Sequence, residues 1–112
     1  MVNAKDELLK ELYYGKDEIV AADISCKGNR YILYRHHTDE ELKHFFNSLN
    51  FKYDEGYGGQ SLYGNIWCKN TVWYERGEYD GSEWWKRFQY DETDMPKTLN
   101  RERAAKLKKI LK

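Results

Sequence analysis

The dipeptide Asp80-Gly81 sits between two strand-like runs, "TVWYERGEY" and "SEWWKRFQY". An Asp-Gly pair accepts the positive φ angles of a two-residue type I′ turn, which joins adjacent antiparallel strands. Taking it as the loop fixes a whole register. Tyr79 faces Ser82, Gly77 faces Trp84, Arg76 faces Trp85, Glu75 faces Lys86, Tyr74 faces Arg87 and Trp73 faces Phe88. Successive strand side chains point to opposite faces, so Trp84 and Trp85 cannot enter the same core. Glu78 falls opposite Glu83, a like-charge pair that strand pairing alone leaves unexplained.

The remaining elements follow from periodicity and turn chemistry. "AKDELLKELYYG" reads as a helix with Leu8, Leu9 and Leu12 on one side and Gly15 as its C-terminal cap. "EIVAADISC" alternates, with Val20, Ala22, Ile24 and Cys26 on one face. With Gly28-Asn29 as the next loop, Cys26 meets Tyr31 and Ile24 meets Leu33 in "RYILYRH". "TDEELKHFFNSL" is the clearest helix: Thr38 and Glu41 form a capping box, and Leu42, Phe45, Phe46 and Leu49 make one apolar stripe. "FKYDEGYGGQ" reads as a short extended piece and a glycine loop, and "SLYGNIWC" as a strand joined to the next by Lys69-Asn70. After the acidic "DETDMP", "NRERAAKLKKILK" is read as a C-terminal helix. The expectation is one α+β domain over residues 1–112, an antiparallel sheet of five to six strands with two to three helices packed on it.

A two-residue Lys69-Asn70 loop places Ile66 beside Trp73 and Trp67 beside Val72. One face then holds Leu62, Ile66, Trp73, Trp84, Phe88 and Tyr90, the expected core. The other holds Tyr63, Trp67, Val72, Tyr74 and Trp85 among Asn65, Arg76, Arg87 and Gln89. Amphipathic aromatics mixed with arginine resemble the centre of a binding interface. The expected partner contacts are Tyr63, Trp67, Tyr74, Arg76, Trp85 and Arg87, joined by Tyr57 and Gln60 from the glycine loop. The alternative is that a helix covers this face and the aromatics form a second small core.

Charge is balanced overall but not along the chain. Residues 100–112 hold six basic side chains against Glu102 alone, leaving thirteen basic and eighteen acidic side chains before them. Arg101, Arg103, Lys106, Lys108 and Lys109 are therefore candidate nucleic-acid contacts, or else one solvated helix face. No apolar run is long enough to span a bilayer, and the charged start is unlike a secretory signal, so a cytoplasmic setting with no membrane contact is expected. Cys26 and Cys68 are too few for a disulfide framework and read as reduced, half-buried thiols.

The candidate chemistries are weak. "GYGGQ" lacks the ending of a phosphate loop and precedes a strand rather than a helix. His36, His37 and His44 with the two cysteines show no metal-ligand spacing, so no metal and no cofactor are expected. The carboxylates Asp54, Glu55, Glu75, Glu78, Asp80 and Glu83 could include an acid–base pair, and His44 with Glu75 is the pair a small nuclease would need, but nothing in the spacing brings them together.

Residues 51–85 resemble a set of small proteins carried by phages and plasmids. The likeness rests on a Tyr-Asp-x-Gly-Tyr-Gly-x-Gln loop (Tyr53, Asp54, Gly56, Tyr57, Gly58, Gln60), a Gly-x-Ile-Trp strand (Gly64, Ile66, Trp67), then Trp73, Arg76 and the run Glu78 through Trp85. It covers about a third of the chain and brings no catalytic residues. It implies a context: short genes on mobile elements often encode inhibitors of host defence, including anti-CRISPR proteins. The expected function is a non-enzymatic inhibitor, acting in the host cytoplasm, that occupies a host protein or a CRISPR ribonucleoprotein effector. RNA contact would come through the basic C-terminal helix. The alternatives are a small nuclease or other enzyme, and a phage structural or replication accessory protein.

Overall fold

Tyr79 pairs with Ser82, and the whole register expected around residues 80–81 is present in the computed structural model, which describes residues 1–54, 59–79 and 81–89. The elements run β1 (Val2–Asn3), α1 (Ala4–Gly15), β2 (Ile19–Cys26), β3 (Asn29–Leu33), α2 (Asp39–Ser48), β4 (Lys52–Tyr53), β5 (Leu62–Cys68), β6 (Val72–Tyr79) and β7 (Ser82–Gln89). Five strands form one antiparallel sheet in the order β3-β2-β5-β6-β7, and β1 pairs with β4. The architecture is α+β, with two helices among the described residues. The helix expected in residues 100–112 lies outside them.

Both helices begin on side-chain caps. Asn3 Oδ1 accepts the Asp6 N–H at 3.0 Å, and Thr38 and Glu41 form the expected reciprocal capping box. The end of α1 differs from expectation. Lys16, not Gly15, takes the left-handed conformation (φ 56°) and returns its N–H to the last turn. Gly15 is small for another reason: a Cβ there would lie 2.5 Å from the Tyr74 hydroxyl and would also strike the Asp17 carboxylate.

Two turns shift the expected registers, with opposite consequences. The β2–β3 loop is Lys27-Gly28, both at positive φ, so Cys26 meets Asn29, Ile24 meets Tyr31 and Ala22 meets Leu33. That is a slip of two residues, which leaves the paired side chains on their expected faces. Val20, expected beside Ala22, Ile24 and Cys26, instead lies at a register shift in β2 and packs with Ala21 on the second face. The β5–β6 turn takes one residue more than expected. Asn70 and Thr71 are both left-handed (φ 63° and 60°), and Trp67 pairs with Trp73 while Ile66 pairs with Tyr74. A slip of one residue reverses the faces of β6 and, through the intact 80–81 hairpin, of β7.

The core is accordingly different from the expected set. Leu62 and Ile66 are buried with Val72, Tyr74 and Trp85, beneath Leu8 and Leu12 of α1 and Phe45 of α2. Trp73 and Phe88 instead join Ala21 and Trp67 in a smaller cluster on the second face, where Trp73 stacks on Phe88 at 5.2 Å. Trp84 remains 40% exposed, whereas Trp85 is 5% exposed. Tyr90 lies outside the described residues. Cys26 and Cys68 are free thiols, fully rather than half buried, and burial pushes Cys68 up to about 12.

Polar side chains on the core face are matched by residues of α1 and the turn after it. Arg76 is 1% exposed and Glu83 is fully enclosed. The guanidinium reaches Glu83 Oε1 at 3.1 Å and Glu7 Oε1 at 3.0 Å, donates to the Tyr53 hydroxyl, and lies 5.0 Å from the Trp85 ring and 5.4 Å from that of Tyr53. Glu83 also accepts the Ser61 N–H (2.8 Å) and the Leu62 N–H (3.0 Å). This settles the Glu78–Glu83 pairing. Glu83 turns inward to a cation and two amides, while Glu78 accepts the Gly81 N–H at 2.9 Å, so each carboxylate has its own donors. Beside this group, Arg87 forks onto Asp17 at 2.8 and 3.0 Å, and the Tyr74 hydroxyl donates to the same carboxylate.

Candidate recognition surface

The reversed faces dissolve most of the expected contact set. Trp67, Tyr74, Arg76 and Trp85 are buried and cannot meet a partner directly. Trp67 belongs to the small second-face cluster; the other three lie on the core face, tied to α1, β4 and β7. Arg87 is partly exposed but committed to Asp17. Gln60 donates to the Leu62 carbonyl at 2.7 Å. Tyr57, Arg101, Arg103, Lys106, Lys108 and Lys109 lie outside the described residues. Of the expected contacts, Tyr63 stays open, at 53% exposure.

The corrected register gives Tyr63 different neighbours. Tyr63 on β5, Tyr79 on β6 and Trp84 on β7 occupy the second face. Continuing the β5–β6 register places Tyr63 across from Gly77, which pairs directly with Trp84. The two aromatics are thus two strand spacings apart, about 10 Å, with a glycine between them. A Cβ on Gly77 would lie 3.1 Å from Trp84 Cε2 and 2.6 Å from Lys86 Cδ, so the indole and the lysine stem rest across the bare backbone. Tyr79, 77% exposed, flanks the same end of the face. The next row inward is polar: Asp23, Asn65, Glu75 and Lys86, with Asp23 forked by Arg30 at 2.8 and 3.0 Å.

Such a surface is suited to contact rather than to bond-making. Flat aromatic rings with polar tips lose little conformational entropy when covered and shed their water readily. The one acid–base pair singled out from sequence is not assembled. His44 lines a groove beside β3, whereas Glu75 lies on β6, three strand spacings away, about 14 Å. Among the described residues no three His, Cys, Asp or Glu side chains are grouped to hold a metal ion, and no helix is long and apolar enough to cross a membrane.

Sequence reasoning missed Trp84 and Tyr79 as surface residues. The aromatic-over-glycine pairing of Trp84 with Gly77 is visible in the sequence, but hydrophobic pattern alone places it on the core face. Comparisons with protein-family models, curated proteins and solved structures return no match.

Proposed function

We propose that this chain is a binding protein that inhibits a host defence machine of the CRISPR kind by covering a protein or nucleoprotein surface. The observation that carries the reading is the grouping of Tyr63, Tyr79 and Trp84, three exposed aromatics at one end of a sheet face. The resemblance of residues 51–85 to small phage and plasmid proteins supplies the defence context. The described Arg–carboxylate pairs also support it, because Arg76, Glu83, Asp17 and Arg87 are engaged in holding the fold. The basic residues of 101–109 add a salt-sensitive attraction to guide RNA in this reading.

The test is a pull-down from cells carrying CRISPR effectors, paired with a plasmid-interference assay. Wild type captures an effector and blocks interference. Trp84→Ala combined with Tyr79→Ala weakens capture by about 30-fold, the equivalent of ~2 kcal/mol at an interface centre. Undiminished capture by the double variant would move the interface elsewhere, and capture of no effector would end the reading. Hydrolysis of RNA or DNA that disappears with His44→Ala or Glu75→Ala would replace binding by catalysis.

A further inference from the structure

β3 is a sheet edge: it pairs with β2 and with no other strand among the described residues. In a hairpin with a two-residue loop, the flanking pair Cys26–Asn29 exchanges hydrogen bonds, and bonded pairs then alternate. Asn29, Tyr31 and Leu33 therefore turn their backbone groups toward β2, and Arg30 and Ile32 turn theirs outward. Beside this edge runs a groove of about 630 Å³ between β3 and α2. Tyr31, Leu33 and Phe45 supply its apolar part, and Glu40, Glu41 and His44 line the helix flank.

We propose that the β3 edge and this groove dock an extended, basic peptide segment of a partner protein, which joins the sheet as an added strand. Outward N–H and C=O groups at Arg30 and Ile32 supply the ladder, the usual source of affinity in strand addition. Charge supplies the preference for a basic segment. Arg30 is already neutralised by its fork onto Asp23, while Glu40 has no ion-pair partner among the described residues and Asp39, Glu40 and Glu41 crowd the first turn of α2. His44 is the one other titratable group on the helix flank.

The packing disfavours a second copy as occupant. α2 lies against β3, its main contact in the sheet. Two β3 edges would pair at about 4.8 Å, whereas two packed helices need about 8–10 Å between axes. A peptide strand brings no helix of its own. The site is independent of Trp84, since β3 and β7 are opposite margins of the sheet.

The experiment is an amide NMR titration of the full chain with a capped six-residue peptide alternating valine and lysine. The controls are the same peptide with glutamate for lysine, and the lysine peptide fully N-methylated. The lysine peptide should shift the Arg30 and Ile32 amides and slow their exchange with solvent. The glutamate peptide should bind about tenfold more weakly, and the methylated one not at all. Glu40→Lys, an exposed change outside the fold's ion pairs, should reverse the preference. No response at Arg30 and Ile32 at millimolar peptide, or equal binding of the methylated peptide, would overturn the proposal. So would a dimer in sedimentation that Ile32→Pro dissociates.

Discussion

Trp85 is inside because a guanidinium is inside. Arg76 lies close to both the Trp85 and Tyr53 rings and binds two carboxylates with almost no access to water. Removing Trp85 takes away both apolar area and the wall that keeps this pair dry. Trp85→Ala is expected to cost ~3–5 kcal/mol, against well under ~1 kcal/mol for the half-exposed Trp84→Ala. Thermal melts of the two variants check this, and equal melting temperatures would contradict it. Arg76→Met keeps the volume but strands Glu7 and Glu83 without their cation. Breaking a buried pair in this way costs about 3–5 kcal/mol, readable by denaturant titration. The wrong order of the two tryptophans in the sequence has a physical cause at this scale. Trp73, Trp84 and Phe88 look more apolar than Tyr74, Arg76 and Arg87, so pattern alone sends the first set inward. The second set is buried because Glu7 and Asp17, some sixty to seventy positions away, satisfy it. Long-range pairing of that kind leaves no local periodicity.

Turn chemistry decides how much of each element could be read. Gly81 takes the positive φ (86°) that an Asp-Gly hairpin turn announces, and the full register of β6 and β7 was legible. The turn after β5 puts Thr71 at φ 60°, a region that a β-branched residue rarely visits, so nothing in "KNT" announces the extra residue. That single residue turned the candidate surface over. The two described helices were legible in their extent and N-terminal caps, because capping and stripe are local signals, but α1 is capped by Lys16 rather than Gly15 and leaves Leu9 exposed. Gly15 belongs to this scale too. Alanine is the better helix former, by about 1 kcal/mol in a helix interior. Here its methyl would push into Tyr74, which is fully buried, and into the Asp17 carboxylate. Gly15→Ala is therefore expected to lower stability by ~1–3 kcal/mol, and a higher melting temperature would show that the Tyr74–Asp17–Arg87 group yields easily.

Across the whole molecule, buried titratable groups bracket a pH range. Burial raises Asp17, but hydrogen bonds from Arg87 and Tyr74 and the charge of Arg87 outweigh it, so the carboxyl sits below its ordinary value. Its contribution is full above the unfolded value near 3.9 and is lost as pH falls through the lower folded value. Burial, aided by hydrogen bonds to Glu7 and Asp17, raises Tyr53 and Tyr74. Their contribution is full below about 10 and is lost as pH rises through the higher folded values. Burial also raises the Cys26 and Cys68 thiols, whose contribution is full below the unfolded value of about 8.5. The melting temperature should thus be level between about pH 5 and 8 and fall on both sides. Asp17→Asn should lower it at neutral pH, with the difference from wild type shrinking in acid. The Arg76–Glu83 pair has one more consequence. Through Tyr53 it grips the chain just before residues 54–60, and through the Ser61 and Leu62 amides it grips the chain just after them. Both stems are clamped by the same two side chains, so a longer chain between them leaves the clamp in place. Doubling that length costs only about 0.6 kcal/mol in closure entropy, which makes this the place where the protein can carry foreign cargo, such as an epitope or a reporter peptide.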